Sequence, residues 1–205
     1  ILSGSRYLEL TESSTLPGRF AGDGKARSLE GFLFPATYEF LGTTSTRRLV
    51  NDQLAAFHDA WKKVDLRYAR SRNLTPYDVL IIASMVEKEA LSPDERAKVA
   101  AVIYNRLRSR MTLGIDATLR YGLNLKPTDR LAPHLNSPSP YNTRNHYGLP
   151  PTPIANPGLA SMQAAAHPAK VDYLYYLRKP DKVHHYFTAS YADFVAHERA
   201  WGYIK

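Results

Sequence analysis

Apolar residues recur at helical spacing in three stretches of this chain. In "TSTRRLVNDQLAAFHDAWKKV", residues 44–64, Leu49, Leu54, Phe57 and Trp61 share a face, and Thr44 or Ser45 is placed to cap the helix. "TPYDVLIIASMVEKEA", 75–90, predicts a second helix, capped by Thr75 with Pro76 at its first position. "SPDERAKVAAVIYNRLRSR", 92–110, predicts a third, with Ser92 and Glu95 spaced as a capping box. Only Leu91 separates these last two, so the chain turns sharply after Glu89. Residues 1–28 read as the end of a helix followed by a polar loop. "LEGFLFPATYEF", 29–40, predicts an extended, buried segment.

Beyond residue 110 the pattern changes. The stretch 111–158 is loop-rich, with eight prolines between 127 and 157. A loop this long is usually functional or disordered, and its interleaved Tyr, Asn and Thr predict an ordered groove lining. "PGLASMQAAAHPA", 157–169, predicts a short Ala-rich helix. "VDYLYYLRK" and "KVHHYFTAS" flank a turn near Pro180 and predict a β-hairpin. "YADFVAHERAWGYIK" predicts a last helix. The class is α+β, mostly helical with a small β-hairpin. Residues 1–40 are expected to be a remnant of a preceding subdomain plus an extended lead-in, and 41–205 the main domain.

Composition narrows the chemistry. The 205 residues are 44% hydrophobic and 22% charged, an ordinary globular balance. The absence of Cys excludes disulfides, thiolate metal sites and a Cys nucleophile. No apolar run is long enough for a transmembrane helix. The start, "ILSGSRYLEL", has neither an initiator Met nor a signal-peptide pattern and reads as the interior of a longer protein. A net charge of +8 favours anionic partners: nucleic acid, anionic headgroups or acidic wall polymers. The basic residues are scattered, mostly on helix faces, and no nucleic-acid-binding motif accompanies them. Tyr, at 14 residues, suits sugar rings but equally suits cores and strands.

Glu87 and Glu89 close the most apolar of the helices. Two places apart on a helix, they point about 160° away from each other. They cannot form a close carboxylate pair. Glu89 lies over Met85 and Val86, with Ile82 beyond; Glu87 lies over Ala83 and Ser84. Glu89 thus has the bulkier apolar surroundings and sits at the negative end of the helix dipole. Both effects disfavour its charge and suit a general acid. A surface glutamate pairing with Lys88 or Arg96 fits the same position.

Several segments in one order resemble the endolytic murein transglycosylase, or YceG-like, family: "LEGFLFPATYEF", "LIIASMVEKEA…ERAKVAAVIYNRL", "MTLGIDATLRYGL", "SPYNTRNHYGLPPTPIANPGLASMQAAAHPA", "YLYYL" and "HHYFTAS". The resemblance covers nearly the whole chain. It implies a lysozyme-like catalytic fold and identifies Glu89, in "KEA", as the catalytic residue. The implied reaction is non-hydrolytic cleavage of the MurNAc-β-1,4-GlcNAc bond within peptidoglycan glycan strands, leaving 1,6-anhydro ends. Glu89 would act first as acid and then as base, with no cofactor and no metal. The resemblance also implies an extracytoplasmic site in the cell envelope, a membrane anchor outside this chain, and other cell-wall synthesis proteins as partners, but no nucleic acid.

Asp116 is the only acid between Glu95 and Asp129 and the best candidate for a second carboxylate, in a structural or substrate-orienting role. Tyr141, Asn142 and Thr143 can line the groove, or simply form a turn. Ser84 and Gln163 are weaker polar candidates, and Asn105 and Arg106 can instead brace helices. His184 and His185 face opposite sides of a strand, which argues against a shared metal. Either His185 or Tyr186 is expected to face the cleft.

Overall fold

Helix α4, Pro76–Glu89, is the axis of the fold. Every side chain from Val79 to Val86 is buried, so the helix is apolar on all sides and must be surrounded. Its start is fixed as expected: Thr75 accepts from the Asp78 backbone N–H (3.1 Å), and the Asp78 carboxylate accepts from that of Thr75 (2.8 Å). The computed structural model describes residues 2–12, 14–16, 20 and 26–204. Around α4 pack α5 (Arg96–Arg108) and α7 (Leu159–Ala166). The buried Ala164, Ala165 and Ala166 of α7 let that helix approach closely.

Helix α2, Thr46–Trp61, is capped by Ser45, whose side chain accepts from the Arg48 N–H. It places Phe57 and Trp61 in an aromatic cluster with Phe20 and Phe32, at centroid separations of 5.0 to 5.8 Å. Helix α1, Gly4–Glu12, packs on α2, where Tyr7 donates to Gln53 at 2.9 Å. Strands β1 (Ser14–Thr15) and β2 (Ala26–Arg27) pair antiparallel. Leu16, Phe20, Leu29 and Phe32 belong to the same core as α4. This stretch therefore contributes side chains to the main hydrophobic core, and part of the polar loop expected before residue 28 lies outside the described residues.

The segment 29–40 is not extended throughout. Leu29 to Leu33 form a turn, closed by Phe32 N–H donating to Leu29 C=O at 2.9 Å. Leu29, Phe32 and Leu33 are buried, whereas the residues after Phe34 are largely exposed. Gly31 has φ of +95°, and a Cβ there would meet Pro153 at 2.7 Å. Both facts require glycine. The Asn156 side-chain oxygen accepts from the N–H groups of Gly31 (2.7 Å) and Leu33 (3.0 Å), tying the turn to the Pro-rich loop.

The expected capping box at Ser92 does not form. Pro93–Glu95 make a 3₁₀ turn before α5 begins. Ser92 donates to Asp94 instead, and Glu95 turns inward. Two short helices, α3 (Arg67–Ser71) and α6 (Asp116–Gly122), occupy stretches that show no helical pattern in the sequence. The hairpin of β3 (Tyr175–Arg178) and β4 (His185–Thr188) is present, pairing Tyr176 with Phe187 and Arg178 with His185. Helix α8, Tyr191–Ala200, covers one side of it. Among the described residues no helix is long and apolar enough to cross a membrane.

Candidate active site

The two glutamates at the end of α4 diverge as their spacing requires. Glu87 turns toward α7, and its carboxylate accepts from the Gly158 N–H at 3.1 Å. Gly158 is the N-cap residue of α7, with no side chain of its own to offer. Glu87 therefore satisfies a free donor at a positive helix end. Glu89 turns the other way, into a cleft of about 1480 Å³ bounded by α4, α6, the Pro-rich loop and the hairpin.

The Tyr176 hydroxyl donates to Glu89 Oε2 at 3.0 Å. Burial pushes the carboxyl above the usual glutamate range; the Tyr176 bond pulls it down, the Asp116 charge pushes it up, and His185 and Arg178 pull it down. Burial is the largest of these, so the protonated form is favoured relative to a solvated glutamate. Burial and the nearby carboxyl together hold the Tyr176 phenol well above its ordinary range, so it stays a hydrogen-bond donor.

The register of the hairpin explains which side chains reach Glu89. Cross-strand partners share a face, so Tyr176, Phe187, Arg178 and His185 stand together. Tyr186 belongs to the other face, where it stacks on His197 of α8 at 3.8 Å. Of the two hairpin candidates it is thus His185 that lines the cleft. Its ring Nδ1 lies 2.7 Å from Glu95 Oε2, and its backbone N–H donates to Glu95 Oε1 at 2.8 Å. His184 points outward to Asp181. Among the described residues no group of three or more His, Cys, Asp or Glu side chains converges as a metal site.

Asp116 and Tyr141 also line the cleft. Asp116 opens α6 and is ion-paired with Arg144, whose Nε donates to it at 3.1 Å. Tyr141 shares a hydrogen bond with Thr152 at 2.7 Å and packs against Tyr121 at 5.3 Å. A Cβ on Gly122 would lie 2.5 Å from Tyr141, so the close seating of this ring depends on glycine. Lys88, Arg106, Arg120, Arg144 and Arg178 line the cleft against Glu89, Asp116 and Glu198, which makes its charge positive overall.

The structure sets Asn142, Thr143 and Gln163 apart from the cleft. Asn142 is fully buried behind its wall. Its amide donates to the C=O groups of Leu135 (2.9 Å) and Ser137 (2.8 Å), and its oxygen accepts from the Arg144 N–H. Thr143 is buried too, meeting Ile115 N–H and the Thr118 hydroxyl. Both residues shape the loop. Gln163 is exposed on another face, beside Lys63 and His167. Ser84 accepts from Ile154 N–H at 3.0 Å, fastening the loop to α4. Asn105 and Arg106 act as braces: Asn105 donates to Val171 and Tyr173 C=O, and Arg106 to Leu113 and Leu174 C=O. Tyr176 and Arg144 are the residues that sequence reasoning missed. Strand alternation could have separated Tyr175 from Tyr176, but not decided which of them faces inward.

Residues 6–200 match the YceG-like family. The chain is 37% identical over 151 residues to the endolytic murein transglycosylase of Bacillus subtilis (strain 168), covering 74% of this chain and 42% of that protein. It is 36% identical over 180 residues to the endolytic murein transglycosylase of Streptococcus pneumoniae (strain ATCC BAA-255 / R6), covering 84% of this chain and 31% of that protein. The crystal structure of a yceG-like protein from Listeria monocytogenes matches with a TM-score of 0.75 and 35% identity, over 83% of this chain and 56% of the other. The chain spans less than half the length of these two curated relatives.

Proposed function

This chain belongs to the YceG-like family, and we propose that it is the part of a cell-envelope enzyme that cuts peptidoglycan glycan strands internally, as a lytic transglycosylase. The relatives named endolytic murein transglycosylase support the substrate and reaction class. The observation that carries the reading is the Glu89 carboxyl. It lies in an open cleft, is held toward its protonated form by burial, and is aligned by Tyr176.

In this mechanism Glu89 gives its proton to the glycosidic oxygen as the bond from that oxygen to the muramic C1 breaks. The Glu89 carboxylate, stabilised at that moment by the Tyr176 hydroxyl, then takes the proton of the C6 hydroxyl. The C6 oxygen attacks C1 and closes the 1,6-anhydro ring. Glu89 is thereby protonated again, its first proton having left on the hydroxyl of the released sugar, and no water is consumed. One carboxyl performs both transfers, whereas paired-carboxylate glycosidases divide these tasks. Asp116, ion-paired with Arg144, orients the sugar. Arginines along the cleft offset the acidic groups of the strand. The site would face the wall from the outer side of the cytoplasmic membrane, with an anchor outside this chain and other wall-synthesis proteins nearby.

The test is digestion of peptidoglycan in ¹⁸O-water, followed by mass spectrometry. The expected products are unlabelled anhydro ends, absent for Glu89→Gln. Labelled reducing ends would mean a hydrolase, and full activity of a folded Glu89→Gln variant would remove Glu89 from its role.

A further inference from the structure

The mechanism above makes no use of the Glu95–His185 pair. Its side chains are only 5% and 2% exposed, respectively. A glutamate at a helix start ordinarily stays in water and caps the helix. Glu95 instead turns into the protein, at a desolvation cost that only good hydrogen bonding offsets. Both its oxygens are engaged by one residue, His185, through the backbone N–H and ring Nδ1. A carboxylate can only accept a hydrogen bond, so the contact places the ring N–H at Nδ1 and leaves Nε2 as the nitrogen without a proton in the neutral ring. The held ring packs edge-on against Tyr176, with centroids 5.3 Å apart and planes at 85°. Tyr176 in turn donates to Glu89.

We propose that Glu95 and His185 are positioning residues for Glu89 that act through Tyr176. Glu95 fixes the tautomer and angle of the His185 ring, and that ring holds the Tyr176 phenol where its hydroxyl meets the carboxyl. The inference rests on Glu89 being the catalytic acid. It links the start of α5 to the end of α4 by way of the hairpin.

Glu95→Gln is the sharpest probe, because it keeps size and burial. The Gln oxygen must accept from the His185 backbone N–H, which leaves its NH₂ group facing Nδ1. Nδ1 then becomes an acceptor and the ring proton moves to Nε2. ¹⁵N NMR of the His185 ring should show Nδ1 protonated in the wild type and Nε2 protonated in the neutral ring of the variant. The kcat for glycan cleavage should fall on the order of 10- to 100-fold with KM nearly unchanged, as for lost alignment. In a Tyr176→Phe background the same substitution should cause little further loss. His185→Asn, whose amide still meets Glu95, should behave the same way and serves if Glu95→Gln lowers the yield of folded protein.

Losses that multiply in the double variant would overturn the proposal. So would unchanged kcat per folded molecule, or a wild-type ring with its proton on Nε2. If the wild type makes no anhydro ends, the catalytic reading fails separately. The ring-proton position and the Tyr176 ring-flip rate, which should rise in Glu95→Gln, still report the positioning.

Discussion

Removing the Tyr176 hydroxyl tests the chemistry at its most exposed point. The phenol donates to Glu89 Oε2 at 3.0 Å and works against the burial that raises the carboxyl. It therefore favours the carboxylate, and Tyr176→Phe should raise the Glu89 pKa further. A hydrogen bond to a charged group is worth about 1.5–3 kcal/mol. The cleft is open to solvent, and water replaces part of the lost donor, so the lower end of that range is expected. Glu89 must enter the cycle protonated, so cleavage falls as pH rises through its pKa. In Tyr176→Phe this alkaline limb should move to higher pH, while the plateau drops because the carboxyl is no longer aligned. The assay is the rate of anhydro-end formation from purified glycan strands across pH. An alkaline limb that stays in place, or moves to lower pH, in a folded variant would refute the reasoning.

Asn142→Ala should lower stability by about 2–3 kcal/mol, since it strands the Leu135 carbonyl and the Arg144 N–H and takes one of two donors from the Ser137 carbonyl. Thermal unfolding should register the loss while activity per folded molecule stays near normal. Glu89→Gln should stabilise the fold near neutral pH. A carboxyl whose pKa is raised on folding contributes stability that is complete below the unfolded value of about 4.5 and is lost as pH rises through the folded value. The gain in melting temperature over wild type should therefore be present at pH 7 and vanish near pH 4. Glu87→Gln retains an acceptor for Gly158 N–H and should keep most activity. Glu87→Leu should cost about 1 kcal/mol in a melting experiment.

Local signals that act over a few residues were legible in the sequence. The Thr75 cap, Pro76 at the first position of α4, the Ser45 cap and the hairpin all appear as expected. The opposed directions of Glu87 and Glu89 followed from helix geometry alone. What was hidden depends on distant partners. Glu95 carried a capping-box signal, but a buried imidazole ninety residues away holds it instead. Asn142 and Thr143 have the chemistry of sugar ligands, and only the folded loop shows that backbone groups and Thr118 occupy them. Tyr186 and His185 are neighbours in sequence, and only strand register decides which faces Glu89. Helix α6, seven residues with two buried side chains, is too short to display a period.

The last turn of α4 also limits how a gene for this domain can change. One carboxylate there is committed to the start of α7 and the next but one to the cleft. Inserting or deleting a single residue between Thr75 and Glu87 would rotate both by about 100°. Neither would then reach its partner, and the buried side chains between Val79 and Val86 would lose their packing register at the same stroke. Drift at this helix must therefore proceed by substitution at constant length. Insertions belong in exposed connections such as residues 41–43, just before α2 and away from the cleft.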